Sequence, residues 1–221
     1  MSAYNDHRHT RRGSFGLWVH DLAPESTDED DRLILTAAHL LIGFEDGARV
    51  LCAPSGPEPG NDHGHFCGVI RRRVPLDHVA DIPVDAVVIK PPTGIDCSNQ
   101  MACGAPNGIR DLLVIDDDSE VIDVRKHGAQ TLLTCGELLP IPADHRMKDM
   151  GARYSNGWWV SGNDGPFADK GDSGAIVVDD ARRIVGMVVA IEHAVEDGGP
   201  HPAAFVHGIK EIFAALKVAL P

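Results

Sequence analysis

Lys170-Gly171-Asp172-Ser173-Gly174-Ala175-Ile176-Val177-Val178 is a glycine-hinged turn that runs straight into a β-branched stretch. Val, Ile and Leu in runs of four to eight residues between Gly, Pro and Asp clusters read as strands. The stretch Ala175–Val178 is one such run and Arg183–Ile191 is the next. The same signature recurs at Gly16–Leu22, Arg32–Thr36, Ala48–Ala53, Cys67–Arg73, Asp85–Lys90, Val121–Lys126, Gln130–Leu139 and Gly157–Ser161. So many short strands, without internal repeats, predict an all-β protein built as barrels or a sandwich. Only the C-terminus reads as a helix, because Ile209, Ile212, Phe213, Leu216 and Leu220 recur at helical spacing behind Gly208 and form one apolar stripe that should pack on the body.

The chain has 221 residues, with 20 Lys plus Arg against 33 Asp plus Glu and a net charge of −13. At that balance no basic face able to neutralise a run of phosphates is expected, so nucleic acid is not an expected partner. No apolar run approaches the roughly 18 residues of a membrane-spanning helix, and no membrane partner is expected. The apolar stretch Phe15–Val19 is interrupted by Gly16 and ends at His20-Asp21, too short for a signal-peptide core. Five cysteines (Cys52, Cys67, Cys97, Cys103, Cys135) without a C-x-x-C indicate neither a complete disulfide framework nor a zinc site. Reduced thiols and a cytoplasmic location are the expectation, with no metal and no cofactor.

Three segments carry possible chemistry: Leu35-Thr36-Ala37-Ala38-His39, then Val84-Asp85-Ala86-Val87-Val88, then the turn around Ser173. A serine hydroxyl is a poor nucleophile until a histidine accepts its proton, and the histidine needs a carboxylate to fix its tautomer and stabilise the imidazolium. Glycine in the turn lets the N–H groups of Gly171 and Ser173 point at one spot, as an oxyanion hole requires. Singly, each segment has a bland reading as a polar turn, a core histidine or a capping aspartate. Together, in the order His, Asp, Ser, they match one of the known chain orders of a catalytic triad.

Thr36-Ala37-Ala38-His39, Asp85-Ala86-Val87-Val88 and Gly171-Asp172-Ser173-Gly174 resemble the three signatures of chymotrypsin-like serine peptidases. Gly13-Ser14-Phe15-Gly16-Leu17-Trp18-Val19 and the Lys126-His127-Gly128-Ala129-Gln130-Thr131 run resemble the intracellular bacterial and plant narrow-leaf-type branch, where a Lys-x-Gly-x-x-Thr run opens the second barrel. The resemblance implies two six-stranded antiparallel β-barrels with a C-terminal helix. Its expected boundaries are a mobile tail at 1–12, a first barrel at 13–105, a connector at 106–120, a second barrel at 121–207 and the helix at 208–221. It also implies a serine endopeptidase acting on protein or peptide substrates, with His39 as general base and acid, Asp85 as orienter, Ser173 as nucleophile and the Gly171 and Ser173 N–H groups as oxyanion hole. Leu40 stands where many secreted relatives have cysteine, and no Ile-Val-Gly-Gly start is present to pair with Asp172.

By the same resemblance Phe167 lies at the base of the specificity pocket, with Ala168, Val189, Ala190 and Ile191 around it. This implies an apolar residue before the cut, although Asp169 and Glu192 could attract a basic one. Two alternatives stay open: a protease-fold binding or scaffold protein with a misaligned triad, and an esterase using the same triad. The remaining features read blandly. Asp62 and His63-x-His65 are solvated, His7, His9, Arg11 and Arg12 belong to the tail, and Asp28–Asp31 and Asp116–Asp118 are surface acids. Of Trp158 and Trp159, one ring should be core and the other should line the cleft.

Overall fold

The computed structural model describes residues 2–3, 11–23, 31–52, 65–76, 81–95, 98–113, 121–139, 141–146, 153–192 and 202–221. In chain order the strands are β1 Ser2–Ala3, β2 Arg11–Arg12, β3 Leu17–Asp21, β4 Arg32–Thr36, β5 Arg49–Cys52, β6 His65–Arg73, β7 Asp81–Ile82, β8 Val87–Lys90, β9 Ile122–Gly128 and β10 Leu132–Leu138. They continue with β11 Ala143–Arg146, β12 Arg153–Gly162, β13 Ile176–Asp179, β14 Ile184–Glu192, β15 Ala203–Gly208 and β16 Val218–Ala219, and helix α1 spans Ile209–Leu216. The first six-stranded sheet runs β16-β3-β4-β8-β6-β5. The second closes on itself, because β10 pairs both with β9 and with β12 at the other end of the order β10-β9-β13-β14-β15-β12. The molecule is thus the expected all-β double barrel with a C-terminal helix.

Two apolar interiors follow from strand alternation. Val124, Leu138, Trp158, Val160, Phe167, Val177, Val188 and Val206 fill the closed ring. Leu17, Leu33, Leu35, Val87 and Ile89 lead the other cluster, which also takes in Tyr154, Met187, Val189 and Phe205 from the second sheet. That shared cluster is the seam between the barrels. Alternation on β9 buries Ile122 and Val124 and then, at the next inward position, Lys126. Trp158 is buried in the ring, whereas Trp159 is half-buried and packs towards the seam, so the two rings do face opposite sides.

The halves also exchange strands. Beyond α1, β16 lies beside β3 of the first sheet, while β7 runs parallel to β12 of the second. Arg72 ties the end of α1 to this arrangement, donating to the Leu216 carbonyl and to Asp21 at 2.7 Å.

Four expectations need correction or qualification. The helix stops at Leu216 because Lys217 takes a left-handed C-cap with φ +50°, whose N–H returns to the last turn, and the chain then extends as β16. The segment expected to be a mobile tail contains the β1–β2 ladder. Cys67 is disulfide-bonded, so the thiols are not all reduced; an odd count excludes complete pairing but not one bridge, and Cys103 and Cys135 are free. β15 was not predicted: all six of its residues are buried, leaving no alternation to read. Asp62, His63, His7, His9, Asp28–Asp30 and Asp116–Asp118 lie outside the described residues, as does the His65 side chain.

Candidate active site

β4 ends at Thr36, and a short 3-10 helix, Ala38–Leu41, presents His39 part-exposed between buried Ala38 and Leu40. Thr36 is paired with Val87, so Asp85, just ahead of β8, lies beside this turn. Asp85 is 0% exposed. It accepts the His39 backbone N–H on Oδ1 at 2.9 Å and faces His39 Nδ1 with Oδ2 at 2.5 Å. The Tyr154 hydroxyl, from β12, donates to the same Oδ2. Burial opposes ionisation of Asp85, but the charge and hydrogen bond of His39 and the bond from Tyr154 outweigh it and hold the carboxyl below its ordinary range. A carboxylate at Nδ1 fixes the tautomer that leaves the lone pair of the neutral ring at Nε2.

Behind Asp85, its own N–H donates to Nδ1 of His207 on β15 at 3.0 Å. Burial lowers the His207 pKa to about 4, so the ring is neutral at pH 7 with its proton on Nε2, a buried atom without a hydrogen-bond partner among the described residues.

The turn around Ser173 is held from below by Asp172, which is also 0% exposed. Its Oδ1 accepts the N–H of Gln130 at 2.8 Å, and its Oδ2 accepts the Thr131 hydroxyl at 2.7 Å and the Asp169 N–H at 3.0 Å. Lys126 Nζ completes the set at 3.3 Å and also donates to the Leu132 carbonyl at 3.2 Å. Burial works against charge on both partners. The Thr131 hydroxyl, the backbone N–H groups and Lys126 overcome it for Asp172, whose pKa is lowered, while burial leaves the Lys126 pKa below its ordinary value. A Cβ at Gly128 would overlap the Asp172 carboxylate, which accounts for glycine in the Lys-x-Gly-x-x-Thr run.

Ser14 ties the same turn to the first barrel. Its N–H donates to the Ser173 carbonyl at 2.7 Å, its hydroxyl donates to the Gly171 carbonyl at 3.2 Å and accepts the Ala129 N–H at 2.9 Å, and its carbonyl accepts the Thr36 hydroxyl at 2.9 Å. Gly171 and Gly174 have φ of +113° and +92°, and a Cβ at Gly174 would strike Thr36 and the Ser14 carbonyl. The Ser173 turn is therefore pressed against the segment that leads into His39. The N–H groups of Asp172, Gly174 and Ala175 are all taken by backbone carbonyls, whereas among the described residues those of Gly171 and Ser173 donate to no protein acceptor.

No protein-family model and no curated protein sequence matches the chain. Solved structures do match over its whole length. Nocardiopsis protease superposes with a TM-score of 0.63 at 15% identity, covering 100% of this chain and 96% of that one. Thermobifida fusca protease A gives 0.62 at 14%, covering 99% and 95%. A glutamic-acid-specific serine protease that uses a histidine triad in substrate binding gives 0.61 at 17%, covering 100% and 97%. The fold is that of the chymotrypsin-like serine proteases.

Within this protease fold the expected pocket residues are only partly at the surface. Phe167 is 0% exposed; it lies against Gly136 with Lys126 Nζ 5.7 Å from its ring centroid, and it packs in the second core. Ala168 and Val189 are buried as well, the latter in the seam, while Ala190 and Ile191 are part-exposed. Asp169 accepts the Lys170 N–H at 2.7 Å, and Glu192 lies 3.7 Å from His145. Gly174 and Val188 continue the β13–β14 ladder up to the Ser173 turn. Beyond Val188, β14 has no strand beside it on that edge among the described residues. A cavity of about 620 Å³ lies elsewhere, between Trp18, Arg32, Asn99 and Leu220, and neither His39 nor Ser173 lines it.

Lys126 and Thr131 had a sequence signal in the run that opens the second barrel. Ser14 was visible only as part of a resemblance, and Tyr154 and His207 carried none.

Proposed function

We propose that the chain is a serine endopeptidase that hydrolyses peptide bonds through an acyl-enzyme on Ser173. The observation that carries this reading is the pairing of part-exposed His39 with fully buried Asp85 beside a turn whose Gly171 and Ser173 N–H groups meet no acceptor among the described residues. His39 Nε2 takes the Ser173 proton as Oγ attacks the scissile carbonyl, Asp85 stabilises the imidazolium, and the two N–H groups receive the oxyanion. His39 then gives the proton to the leaving amine, and a water activated by the same ring releases the acyl group. No cofactor enters these steps. The unpaired edge of β14 beyond Val188 is suited to an extended peptide added as a strand.

The substrate is accordingly a protein or peptide, and the net charge of −13 favours neither nucleic acid nor other polyanions. The Lys126–Thr131 run supports placing the chain with the intracellular bacterial and plant branch. The disulfide at Cys67 weighs the other way on compartment, since such bonds persist in oxidising surroundings, and the thiol count no longer argues for the cytoplasm. No helix among the described residues is long and apolar enough to cross a membrane.

The test is Ser173→Ala, followed with a fluorophosphonate probe and a peptide library. Labelling and hydrolysis should vanish, with a rate loss of about 10⁴ or more, while the thermal midpoint stays put. Equal labelling of wild type and variant overturns the assignment. Labelling without any peptide cleavage selects the esterase reading, and neither activity in wild type selects the binding-protein reading.

A further inference from the structure

The carboxylate of Asp85 belongs to the first barrel, yet two of the groups that hold this residue come from the second. Tyr154 on β12 donates its hydroxyl to Oδ2, the oxygen that also faces His39 Nδ1. His207 on β15 accepts the backbone N–H of Asp85. The two rings are in edge contact, with centroids 5.0 Å apart, and Phe205 stacks on Tyr154 at an interplanar angle of 10°. Both side chains are at most 1% exposed. We propose that Tyr154 and His207 are positioning residues through which the second barrel sets the basicity and aim of the His39–Asp85 couple.

A hydrogen bond donated to a carboxylate draws charge away from the oxygen that accepts it. Because Tyr154 and His39 share Oδ2, the phenol competes for the charge that Asp85 offers the imidazolium. Burial and the neighbouring Asp85 push the phenol far above its ordinary range, so it remains a donor at every working pH. Among the described residues, His39 and His207 face Asp85, the His145 ring on β11 lies 6.4 Å from that of Tyr154, and Glu192 on β14 pairs with His145. Arg153, the residue before Tyr154, is engaged with Asp81 and Asp144. His207 acts on the main chain of Asp85 and fixes where the carboxylate stands.

This inference rests on the triad reading, and two readouts keep the two apart. The full chain, wild type and Tyr154→Phe, is titrated by NMR through the His39 ring, and the rate of fluorophosphonate labelling is measured from pH 5 to 9. Tyr154→Phe should move the His39 midpoint up by about half to one pH unit, which slows labelling roughly three- to tenfold on the acid side and much less on the alkaline plateau. His207→Asn, which keeps an acceptor for the Asp85 N–H, should label within about twofold of wild type, and His207→Leu at least about tenfold more slowly at all pH values. An unmoved His39 midpoint in Tyr154→Phe, with labelling slowed equally at every pH, overturns the tuning role. Equal labelling by the two His207 variants overturns the role of His207. Absence of wild-type labelling refutes the triad, while a shifted His39 midpoint still sustains the tuning.

Discussion

Lys126 sits where β9 alternation calls for an apolar side chain, and its ammonium is the cation beside buried Asp172. In a fold where the serine turn hangs on that aspartate, an internal lysine makes any newly freed chain terminus unnecessary as its partner. Lys126→Met should leave Asp172 as a buried, uncompensated charge, at a cost of about 3–5 kcal/mol, and should abolish labelling of Ser173 as the turn loosens. A thermal midpoint that drops by roughly 10 °C is the expected reading for a chain of this size. Lys126→Met with full labelling and an unchanged midpoint would remove the pair from the account. His39, Asp85 and Ser173 could be found from the sequence because the chemistry dictates their types and order. Tyr154 and His207 could not, since their bonds to Asp85 span 69 and 122 positions along the chain and arise only when β12 and β15 cross the seam.

Each of the ten predicted strands overlaps a strand of the structure, because β-branched runs between turn residues carry their own signal. Missed at this scale are the short β1, β2, β7 and β11, the uniformly buried β15, and the end of the helix, where Lys217 rather than glycine takes the left-handed turn. The pocket is a different matter: position relative to Ser173 says where Phe167 stands on the chain, not which way its ring turns. With that ring in the core, the part-exposed apolar surface on β14 is Ala190 and Ile191, which suits a short side chain. A cleavage profile over a peptide library should therefore favour Ala, Val or other small apolar residues before the cut and discriminate against Phe and Trp. A majority of cuts after Arg or Lys would mean that Glu192 or Asp169 governs the subsite instead.

At the level of the whole molecule, acid should weaken the fold in two stages. Buried neutral His207 has a pKa of about 4 against an ordinary value of 6.5, so between those limits the unfolded chain binds a proton that the native state refuses. Its contribution is complete above about pH 6.5 and is lost as the pH falls towards 4, a change of roughly 3 kcal/mol. Asp85 and Asp172, with lowered pKa values, add their losses only below the ordinary carboxylate range. Melting curves from pH 8 to 4 should show a slope in wild type that His207→Asn flattens; parallel slopes would assign the acid sensitivity to other groups. The exchange of β7 and β16 has a consequence for dissection of the chain. A cut between β8 and β9 yields two fragments, each missing a strand that the other holds, so each is the natural complement for rescuing the other in a split-protein pair.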